Sequence, residues 1–518
     1  MKKTIAVIII AFALTAFASA DDGSWNATYS LSEGSLYSET ENADIALQDE
    51  ILAFDGFKTE LTRAAFFFSN TSAKAVTVQA GFPVLVSINL QEDRVPGTEG
   101  QTGYFFSLSK YGPAGDELDF ARLVFGAALK KAKSPDDDYM EHSEEYFLAT
   151  DLPVRREISA AGLTSLFHFT ITQDGRKVEP TSVVIEAMPV SGTGYGVTLE
   201  VTFHFRHTLS FPARGASRVD VSYTAGYKTG SDSMGTYMSS RYDYYYILGT
   251  GRTWKGPIDR LYVAVPYDLN PGLPASFKRL GRMGKKEVYL AEKYEPATKD
   301  GISITATVRD EISASYLESL WFDNKTEAEL PSGPAQDFVR VKGASSFIKD
   351  TAAVYTENGV ISKTGFGPLS LFDGVRQTAW CEGAEGDGVG EWVEFELKKD
   401  VEALDAQNGY NRSFTRIKGK NLDEYYQLNN RPKTVEIVSA DGKTRRTLSL
   451  ADVTDMQFFG DAYLPAGVYK LFIRDVYRGT KWRDTCLGEI VFHPASALYR
   501  QFKNDAFLKA HAADVAGP

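Results

Sequence analysis

The sequence predicts an all-β protein with few helices, and three features support this prediction. Between Val197 and Phe205 every second residue is apolar and the residues in between are polar or charged. A period of two is typical of a strand with one buried face. Turn-forming pairs such as Asp174-Gly175 separate stretches of this kind. With 44 glycines, 27 tyrosines and 32 phenylalanines, the composition fits a globular β-rich chain.

A chain of 518 residues is too long for one ordinary core, so two or three domains are expected. The stretch containing Pro331, Gly333 and Pro334 has the composition of a linker and predicts a domain boundary. The predicted organisation is a β-sandwich region of one or two subdomains over 21–326, a linker over 327–344, a C-terminal domain over 345–494 and a terminal helix over 495–518.

Met1 to Ala20 has the pattern of a secretory signal peptide, with Lys2 and Lys3 followed by an apolar run and Ala18-Ser19-Ala20. We expect cleavage before Asp21 and an exported product, periplasmic in a bacterium or extracellular; the alternative is an uncleaved anchor. No later stretch reaches the roughly 18 apolar residues of a membrane helix. The formal charge of −12 disfavours nucleic acid as a partner, because an acidic surface repels phosphate.

In the N-terminal half, two β-hairpins are predicted. Ala64 to Phe68 and Val76 to Phe82 flank a turn that begins at Asn70, and Phe167 to Ile171 and Val178 to Ala187 flank Asp174-Gly175. Apolar residues at helical spacing predict a helix over Asp116–Lys131.

Two clusters in this half have both a functional and a structural interpretation. His204 and His207 suggest a metal site, but residues three apart on a strand point to opposite faces, which favours one exposed and one core histidine. The tyrosines of Tyr242–Tyr246 suit a sugar-stacking platform, although aromatic pairs within a sheet are the favoured interpretation.

Two segments in the last third carry most of the functional signal. They are Leu371–Trp392, with a loop of five glycines between Gly374 and Gly390, and Arg474–Phe492. The blocks D-G-x-x-x-T-A-W, E-G-x-E-G-x-G-x-G-E-W, N-G-Y, a relaxed N-x-R-x-K and V-Y-x-G-x-K-x-x-D-T-C-x-x-E-I-x-F occur in this order. Over about Ser345–Pro494 they resemble the NADase-type glycan-binding (translocation) domain, a branch of the discoidin or galactose-binding-like jelly rolls. The resemblance implies a β-jelly roll that binds carbohydrate and has no chemistry of its own.

The resemblance also implies site residues. Asp373, Thr378 and Glu489 match positions that hold a structural calcium ion in many galactose-binding-like relatives, but Val375 replaces a second aspartate, which lowers the expected affinity. Trp380 and Trp392 are alternatives between ligand platform and core, and for Trp392 the core is favoured. The expected ligand residues are polar and aromatic side chains on loops at one end of the barrel: Glu382, Tyr410, Arg412, Arg431, Tyr477, Lys481 and Asp484.

Cys381 and Cys486 are the two cysteines of the chain. In an exported protein an even pair suggests a disulfide, while two buried thiols remain the alternative. A loop of roughly a hundred residues closed in this way would contribute about 4 to 5 kcal/mol in the chain-entropy model.

The region from Trp25 to Ala314 loosely resembles a family of exported bacterial proteins, domain of unknown function 4424, through short blocks near Leu31–Val84 and Tyr246–Ile258. That label carries no activity. Neither a nucleophile elbow, nor a zinc-protease motif, nor a phosphate loop occurs in the sequence, which favours a non-enzymatic protein. The predicted function is therefore recognition of a glycan or cell-envelope surface. One alternative is a secreted hydrolase that carries a binding module. Its pair of catalytic carboxylates cannot be identified from the sequence, because only their geometry would select them. The other alternative is a structural envelope protein.

Overall fold

We analysed a computed structural model of the chain. It describes residues 30–34, 36–39, 43–56, 61–94, 102–109, 122, 125, 129–131, 143–148, 154–160, 163–166, 168–193, 196–224, 228–234, 237–269, 271–297, 300–309, 332–356, 359–412, 416–417, 420–421, 425–460 and 462–517. The predicted signal peptide and most of the predicted helix over 116–131 lie outside these residues. The chain forms two compact units: the first comprises 1–278, 288–310 and 511–518, and the second 279–287 and 311–510.

The N-terminal part of the chain, through Arg309, is built from two β-sheets. Its strands are β1 (Ser30–Gly34), β2 (Tyr37–Ser38), β3 (Ile45–Phe54), β4 (Leu61–Asn70), β5 (Val76–Arg94), β6 (Thr102–Ser109), β7 (Leu129–Lys131), β8 (Ser143–Leu148), β9 (Val154–Ile158), β10 (Thr170–Gln173), β11 (Arg176–Lys177), β12 (Ser182–Thr193), β13 (Gly196–Phe211), β14 (Ala216–Thr224), β15 (Lys228–Met234), β16 (Tyr237–Ile247), β17 (Ile258–Pro266), β18 (Pro271–Gly272), β19 (Lys278–Met283), β20 (Lys286–Tyr294) and β21 (Gly301–Arg309). A one-turn helix α1 (Leu163–Leu166) and a 3₁₀ turn (Gly249–Thr253) interrupt them.

The first sheet has the order β18-β21-β16-β1-β5-β13-β12-β9, with β2, β6, β7, β8 and β15 attached, and the second has the order β11-β10-β14-β4-β3-β17-β20-β19. Their inner faces share one apolar core, because β4, β14 and β16 all contribute to the same buried cluster. Phe54 of the second sheet stacks on Tyr244 of the first at 4.8 Å. This is the predicted β-sandwich, and the all-β fold class is confirmed. Tyr244 and Tyr246 of β16 are buried in this core, so these two rings do not form a sugar-stacking platform.

One predicted hairpin is wrong in its pairing. Both of its strands form, but β4 pairs with β3 and β14, whereas β5 pairs with β1 and β13 in the other sheet. The intervening turn therefore carries the chain from one sheet to the other, where Asn70 Nδ2 donates to Lys74 O and to Pro212 O. Alternation predicts which face of a strand is buried and leaves its partner undetermined. Within the predicted helix over Asp116–Lys131, the described residues Arg122 and Phe125 are helical, whereas Leu129–Lys131 is a strand.

The second predicted hairpin forms at its turn. Thr172 pairs with Lys177 and Gln173 with Arg176 in β10 and β11. Asp174 (φ 51°) and Gly175 (φ 75°) both have positive φ, as a two-residue type I′ turn requires.

The two histidines of β13 lie on opposite faces, as predicted. His207 is fully buried and stacks on Phe169 at 5.7 Å, while His204 is half-buried with Nε2 3.8 Å from Glu186. Burial lowers the pKa of His207 to about 4, and the backbone and carboxylate of Glu179 oppose this only in part.

We therefore expect the first unit to lose stability in mild acid. Between pH 6.5 and about 4 the unfolded chain binds a proton at His207 that the folded chain does not. As the pH is lowered through this range, the free energy of unfolding therefore decreases by at most about 1.4 kcal/mol per pH unit. Hydrogen exchange of the β13 amides at several pH values measures this loss, and His207→Leu should remove it. An unchanged acid slope in that variant would show that other groups cause the loss.

The second unit contains the C-terminal domain. Its strands are β22 (Val339–Ala344), β23 (Thr351–Thr356), β24 (Gly359–Gly365), β25 (Trp380–Cys381), β26 (Trp392–Leu397), β27 (Val401–Asn408), β28 (Arg416–Ile417), β29 (Lys420–Asn421), β30 (Arg431–Ser439), β31 (Arg445–Ser449), β32 (Met456–Phe459), β33 (Gly467–Tyr477) and β34 (Cys486–Pro494). Besides a 3₁₀ turn (Pro368–Leu371), it has the helices α2 (Tyr425–Leu428), α3 (Tyr499–Asn504) and α4 (Ala506–Ala510); α5 (Ala512–Ala516) belongs to the first unit.

Two sheets face each other in this unit, in the orders β22-β26-β33-β30-β31 and β25-β34-β27-β32. Val393, Phe395 and Leu397 of β26 point inward and meet Leu404 and Phe492 in one buried cluster. The jelly roll thus forms from strands that alternate buried and half-buried residues.

The domain begins earlier than the predicted boundary. Val339 pairs with Leu397, so β22, which the sequence analysis placed in the linker, is an edge strand of the jelly roll. The single predicted terminal helix is three short helices, in which Phe502, Leu508 and Val515 are buried. Across the described parts of the chain, no helix is long and apolar enough to span a membrane.

Candidate functional site

Asn430 organises the loops at one end of the jelly roll. It is 2% exposed, and its side chain accepts from Gly479 N at 2.7 Å and donates to Arg483 O at 2.7 Å. Its backbone binds Asp484 O and Cys486 N. One buried amide therefore fixes the loop between β33 and β34 against the segment that enters β30. Asn430 belongs to the motif blocks, and its role in the structure is to hold these two segments together.

Two glycines of the motif blocks allow this close approach. A Cβ on Gly479 would lie 2.4 Å from the backbone oxygen of Leu428. Gly409 has φ 71°, and a Cβ there would lie 2.6 Å from the ring of Tyr426. Only glycine fits these positions without a shift of neighbouring backbone or ring atoms.

The structure places Arg431 inside the loop end. It is 6% exposed, with Nε and Nη2 donating to the two carboxylate oxygens of Asp452 at 2.7 and 2.9 Å. Its Nη1 donates to Tyr426 O and Asn429 O. The guanidinium lowers the pKa of Asp452. Arg431 therefore holds the α2 segment in place and does not present its guanidinium to a ligand.

Glu382 and Tyr410 are also interior. Glu382 is fully buried, and its two oxygens accept from Thr485 N at 2.9 Å and Ala384 N at 2.8 Å. Burial raises its pKa, which these backbone donors partly offset. Tyr410 is 1% exposed and packs edge-on against Phe366 and Tyr425. Both predicted ligand residues thus support the loops from within.

Cys381 and Cys486 form a disulfide, which resolves the two alternatives of the sequence. The two residues lie opposite each other in the pairing of β25 with β34. Tyr410 and Val354 pack in the same small buried cluster, and Tyr425 contacts its edge. The disulfide therefore lies beneath the loop end.

Four side chains at the surface of this loop end form what we call the aromatic platform: Arg412, Tyr425, Lys481 and Trp482. Tyr425 and Trp482 are half-buried and stack with ring centroids 5.5 Å apart at 24°. The Arg412 guanidinium lies 4.8 Å from the Tyr425 centroid, and the Lys481 ammonium lies 4.2 Å from the Trp482 centroid. Backbone bonds from Lys481 N and Trp482 N to Leu428 O fix the two aromatic segments together. The platform combines apolar ring surface with charged hydrogen-bond donors.

Of the seven predicted ligand residues, the structure places Arg412 and Lys481 in this platform, and Asp484 is half-buried in the same loop as Lys481. Tyr477 is half-buried, and its hydroxyl donates to Leu450 O at 3.0 Å, which gives it a role in the loop network. Sequence reasoning did not single out Tyr425 or Trp482. The available signal was the aromatic residue next to Lys481, within a motif loop.

The structure places Trp380 in the core, which the sequence left open, and Trp392 at the surface, where the core was favoured. Trp380 is fully buried, and its Nε1 donates to Ser346 O at 3.0 Å. Trp392, for which the core was favoured, is half-buried on the outer face of β26 with the Lys470 ammonium 3.7 Å from its ring centroid. The pleat of β26 explains the difference, because Val393 occupies the inward position.

Asp373, Thr378 and Glu489 lie together, as the resemblance implied. Thr378 Oγ1 donates to Asp373 at 2.9 Å, and Gly374 N donates to Glu489 Oε2 at 3.1 Å. Burial raises the pKa of Asp373 to about 6, and burial with the facing Asp373 carboxylate raises that of Glu489 to about 10. The two carboxyls thus hold one proton between them at neutral pH.

This donor set is small for calcium, which takes six to eight oxygens. Val375 N donates to Asp373 Oδ1 at 2.8 Å, and the apolar side chain of Val375 offers no oxygen ligand. No group of three or more His, Cys, Asp or Glu that could hold a metal occurs among the described residues. Calcium at these residues stays a prediction.

The first unit has a groove of about 230 Å³ lined by Arg63, Thr172, Asp220, Ser222 and Asp514, among others. Arg218 Nη2 donates to Asp220 at 2.5 Å and to Asp514 at 2.7 Å. Arg63 is paired with Asp55 and also donates to Ala513 O. The two carboxylates are therefore ion-pair partners that hold α5 on the sheet.

Residues 347–493 match the NAD glycohydrolase translocation F5/8 type C domain, which confirms the C-terminal resemblance. No curated protein matches the chain. The resemblance of Trp25–Ala314 to domain of unknown function 4424 stays a prediction.

Several solved structures are similar to parts of the chain, and three of them are described here. A candidate nutrient binding protein of Legionella pneumophila is 12% identical over 54% of this chain and 72% of its own (TM-score 0.26). The C-terminal domain of a chitobiase from Bacteroides fragilis is 13% identical over 32% and 97% (TM-score 0.21). CpGH89CBM32-5 from Clostridium perfringens, in complex with GalNAc-β-1,3-galactose, is 16% identical over 32% and 99% (TM-score 0.21). Likenesses at these scores carry no argument about function.

Proposed function

We propose that the C-terminal jelly roll is a carbohydrate-binding module and that the chain is an exported, non-enzymatic protein that binds a glycan of a cell-envelope surface. The observation that carries this proposal is the stacked Tyr425–Trp482 pair between Arg412 and Lys481. Sugars present apolar C–H faces and a rim of hydroxyls, so they bind where aromatic surface lies beside hydrogen-bond donors. The match to the translocation domain supports the same reading.

Two features support the exported part of the proposal. The N-terminal twenty residues have the pattern of a signal peptide. The Cys381–Cys486 disulfide fits an oxidising compartment, since such bonds are rare in reducing ones. The hydrolase alternative has no comparable support, because Arg218 engages both acidic residues of the groove in the first unit.

The proposal is tested by binding of the full chain to a glycan array. We expect selective binding that Trp482→Ala weakens at least about 10-fold, since removal of a central aromatic contact commonly costs over 1 kcal/mol. Trp392→Ala is the matched control, because that ring is also half-buried under a lysine ammonium but lies on the outer face of β26. Equal binding by the Trp482 variant and the parent would disprove the platform, and a folded chain that binds no glycan would favour a structural role.

A further inference from the structure

We propose that Asp452 is a positioning residue of the aromatic platform, which sets the affinity for sugar by holding Tyr425 against Trp482. This inference rests on the proposed function, because it names what controls the same site. The connection runs from Asp452 through Arg431 to the short helix α2, whose first residue is Tyr425. A carboxylate outside the platform would thus determine how well the platform binds.

Helix α2 depends on hydrogen bonds from outside. It is a single turn, Tyr425–Leu428, and so short a helix is not stable by itself. Each of its four carbonyl oxygens accepts a hydrogen bond from a residue that follows the helix. The bonds run from Asn429 N to Tyr425 O, from Arg431 Nη1 to Tyr426 O, from Thr480 N to Gln427 O, and from Lys481 N and Trp482 N to Leu428 O. The place of Tyr425 is therefore set by residues outside the helix.

Asp452 fixes the orientation of Arg431. The guanidinium is a planar fork, and its Nε and Nη2 donate to the two carboxylate oxygens at 2.7 and 2.9 Å. This orientation directs Nη1 toward Tyr426 O and Asn429 O, at 3.1 and 2.8 Å. The hydroxyl of Tyr426 also donates to Asp452 Oδ1 at 2.9 Å. Both carboxylate oxygens are thus engaged in holding α2, which makes Asp452 a support of the platform.

The strand β27 holds Asp452 in place, although its side chain is 39% exposed on the loop between β31 and β32. On one side of it, Asn408 Nδ2 donates to Ala451 O at 2.9 Å. On the other side, Gln407 Nε2 donates to Thr454 O at 3.1 Å. Both of these amide side chains are buried in the jelly roll. The loop therefore presents the carboxylate to Arg431 in a fixed position.

Asp452→Asn should weaken sugar binding without removing any platform side chain. An asparagine amide has one acceptor oxygen, and its NH₂ group would face a guanidinium N–H, donor against donor. Arg431 is 6% exposed, so its charge would lose a buried partner and its bond to Tyr426 O would be disturbed. Tyr425 would then be free to leave Trp482. We expect binding to the glycan array to fall at least about 10-fold.

Hydrogen exchange of the full chain without sugar gives a second measurement. The amides of Thr480, Lys481 and Trp482 donate to α2, so loosening of the helix should expose them to solvent. We expect their exchange in Asp452→Asn to be at least about 10-fold faster than in the parent. The amides of β26 should be unchanged, because a local opening at the loop end does not reach the sheet.

Two further variants calibrate these effects. Tyr426→Phe removes one hydrogen bond to Asp452 and leaves the paired contact with Arg431, so its effects should be smaller. The matched control is Glu436→Gln in β30, since that carboxylate also receives two N–H groups of one arginine, Arg474, at 2.9 and 2.6 Å. We expect this control to bind glycan like the parent and to leave the exchange of the 480–482 amides unchanged.

The outcomes separate this inference from the proposed function. If Asp452→Asn bound glycan as well as the parent while Trp482→Ala did not, the positioning role would be wrong and the sugar site would stand. Exchange that is accelerated equally at the loop end and in β26 would show a general loss of stability and would also overturn the positioning role. A folded parent that binds no glycan would overturn both.

Discussion

Replacement of both Cys381 and Cys486 by alanine should lower the free energy of unfolding of the jelly roll by about 4 to 5 kcal/mol. The bond closes a sequence separation of 105 residues, and opening so long a loop releases much conformational freedom in the unfolded chain. A domain is usually stable by only about 5 to 15 kcal/mol, so the loss is a large fraction of the total. Urea unfolding of the parent and the variant measures it.

The same variant should also weaken sugar binding. Tyr410 packs in the cluster that contains the disulfide and contacts Tyr425 at 5.7 Å, so disorder in that cluster reaches the aromatic platform. Val354→Ala is a suitable control, because it removes apolar contacts from the same cluster while the covalent loop stays closed. If the cysteine variant lost no more free energy of unfolding than this control, the cross-link would not be the main source of the stability difference.

Glu489→Gln should stabilise the jelly roll in alkaline solution. The folded pair of Asp373 and Glu489 retains a proton up to about pH 10, whereas unfolded carboxyls lose theirs near pH 4. The folded state therefore binds more protons than the unfolded state over this range, and stability falls as pH rises by at most about 1.4 kcal/mol per unit. A neutral glutamine amide can donate to Asp373 at every pH, so the variant should be nearly insensitive to pH.

The measurement is urea unfolding from pH 5 to pH 9 for the parent, Glu489→Gln and the control Glu385→Gln, whose side chain is exposed. We expect the parent and Glu489→Gln to be similar at pH 5 and to differ by several kcal/mol at pH 9. If the free energies of unfolding of the parent and of Glu489→Gln changed with pH in the same way, the proposal of a shared proton would be wrong. Calcium addition tests the remaining prediction, since an ion held by Asp373 and Glu489 would stabilise the parent and not the variant.

Motif residues of the C-terminal domain show how a recognisable pattern can mislead about roles. Glu382, Tyr410 and Arg431 were expected to touch a ligand because they belong to separated, family-like blocks. The structure buries all three, with Glu382 and Arg431 bonded to backbone groups or Asp452. A motif indicates that a residue type is required at a position but not why. Buried side chains that shape a loop are required as strictly as those that contact a ligand.

The sequence by itself determined the all-β class, the sandwich strands with their inward faces, the opposite faces of His204 and His207, and the jelly roll near its observed limits. The first three follow from side-chain period and local turn chemistry, which act over a few residues, whereas the jelly roll follows from the resemblance of its motif blocks to a known family. Tertiary structure alone decided which strands pair, since β4 and β5 form as expected yet lie in different sheets. It also decided that Tyr425 and Trp482 stack, because their contact depends on loop closures made by Asn430 and Gly479 between residues distant in the chain.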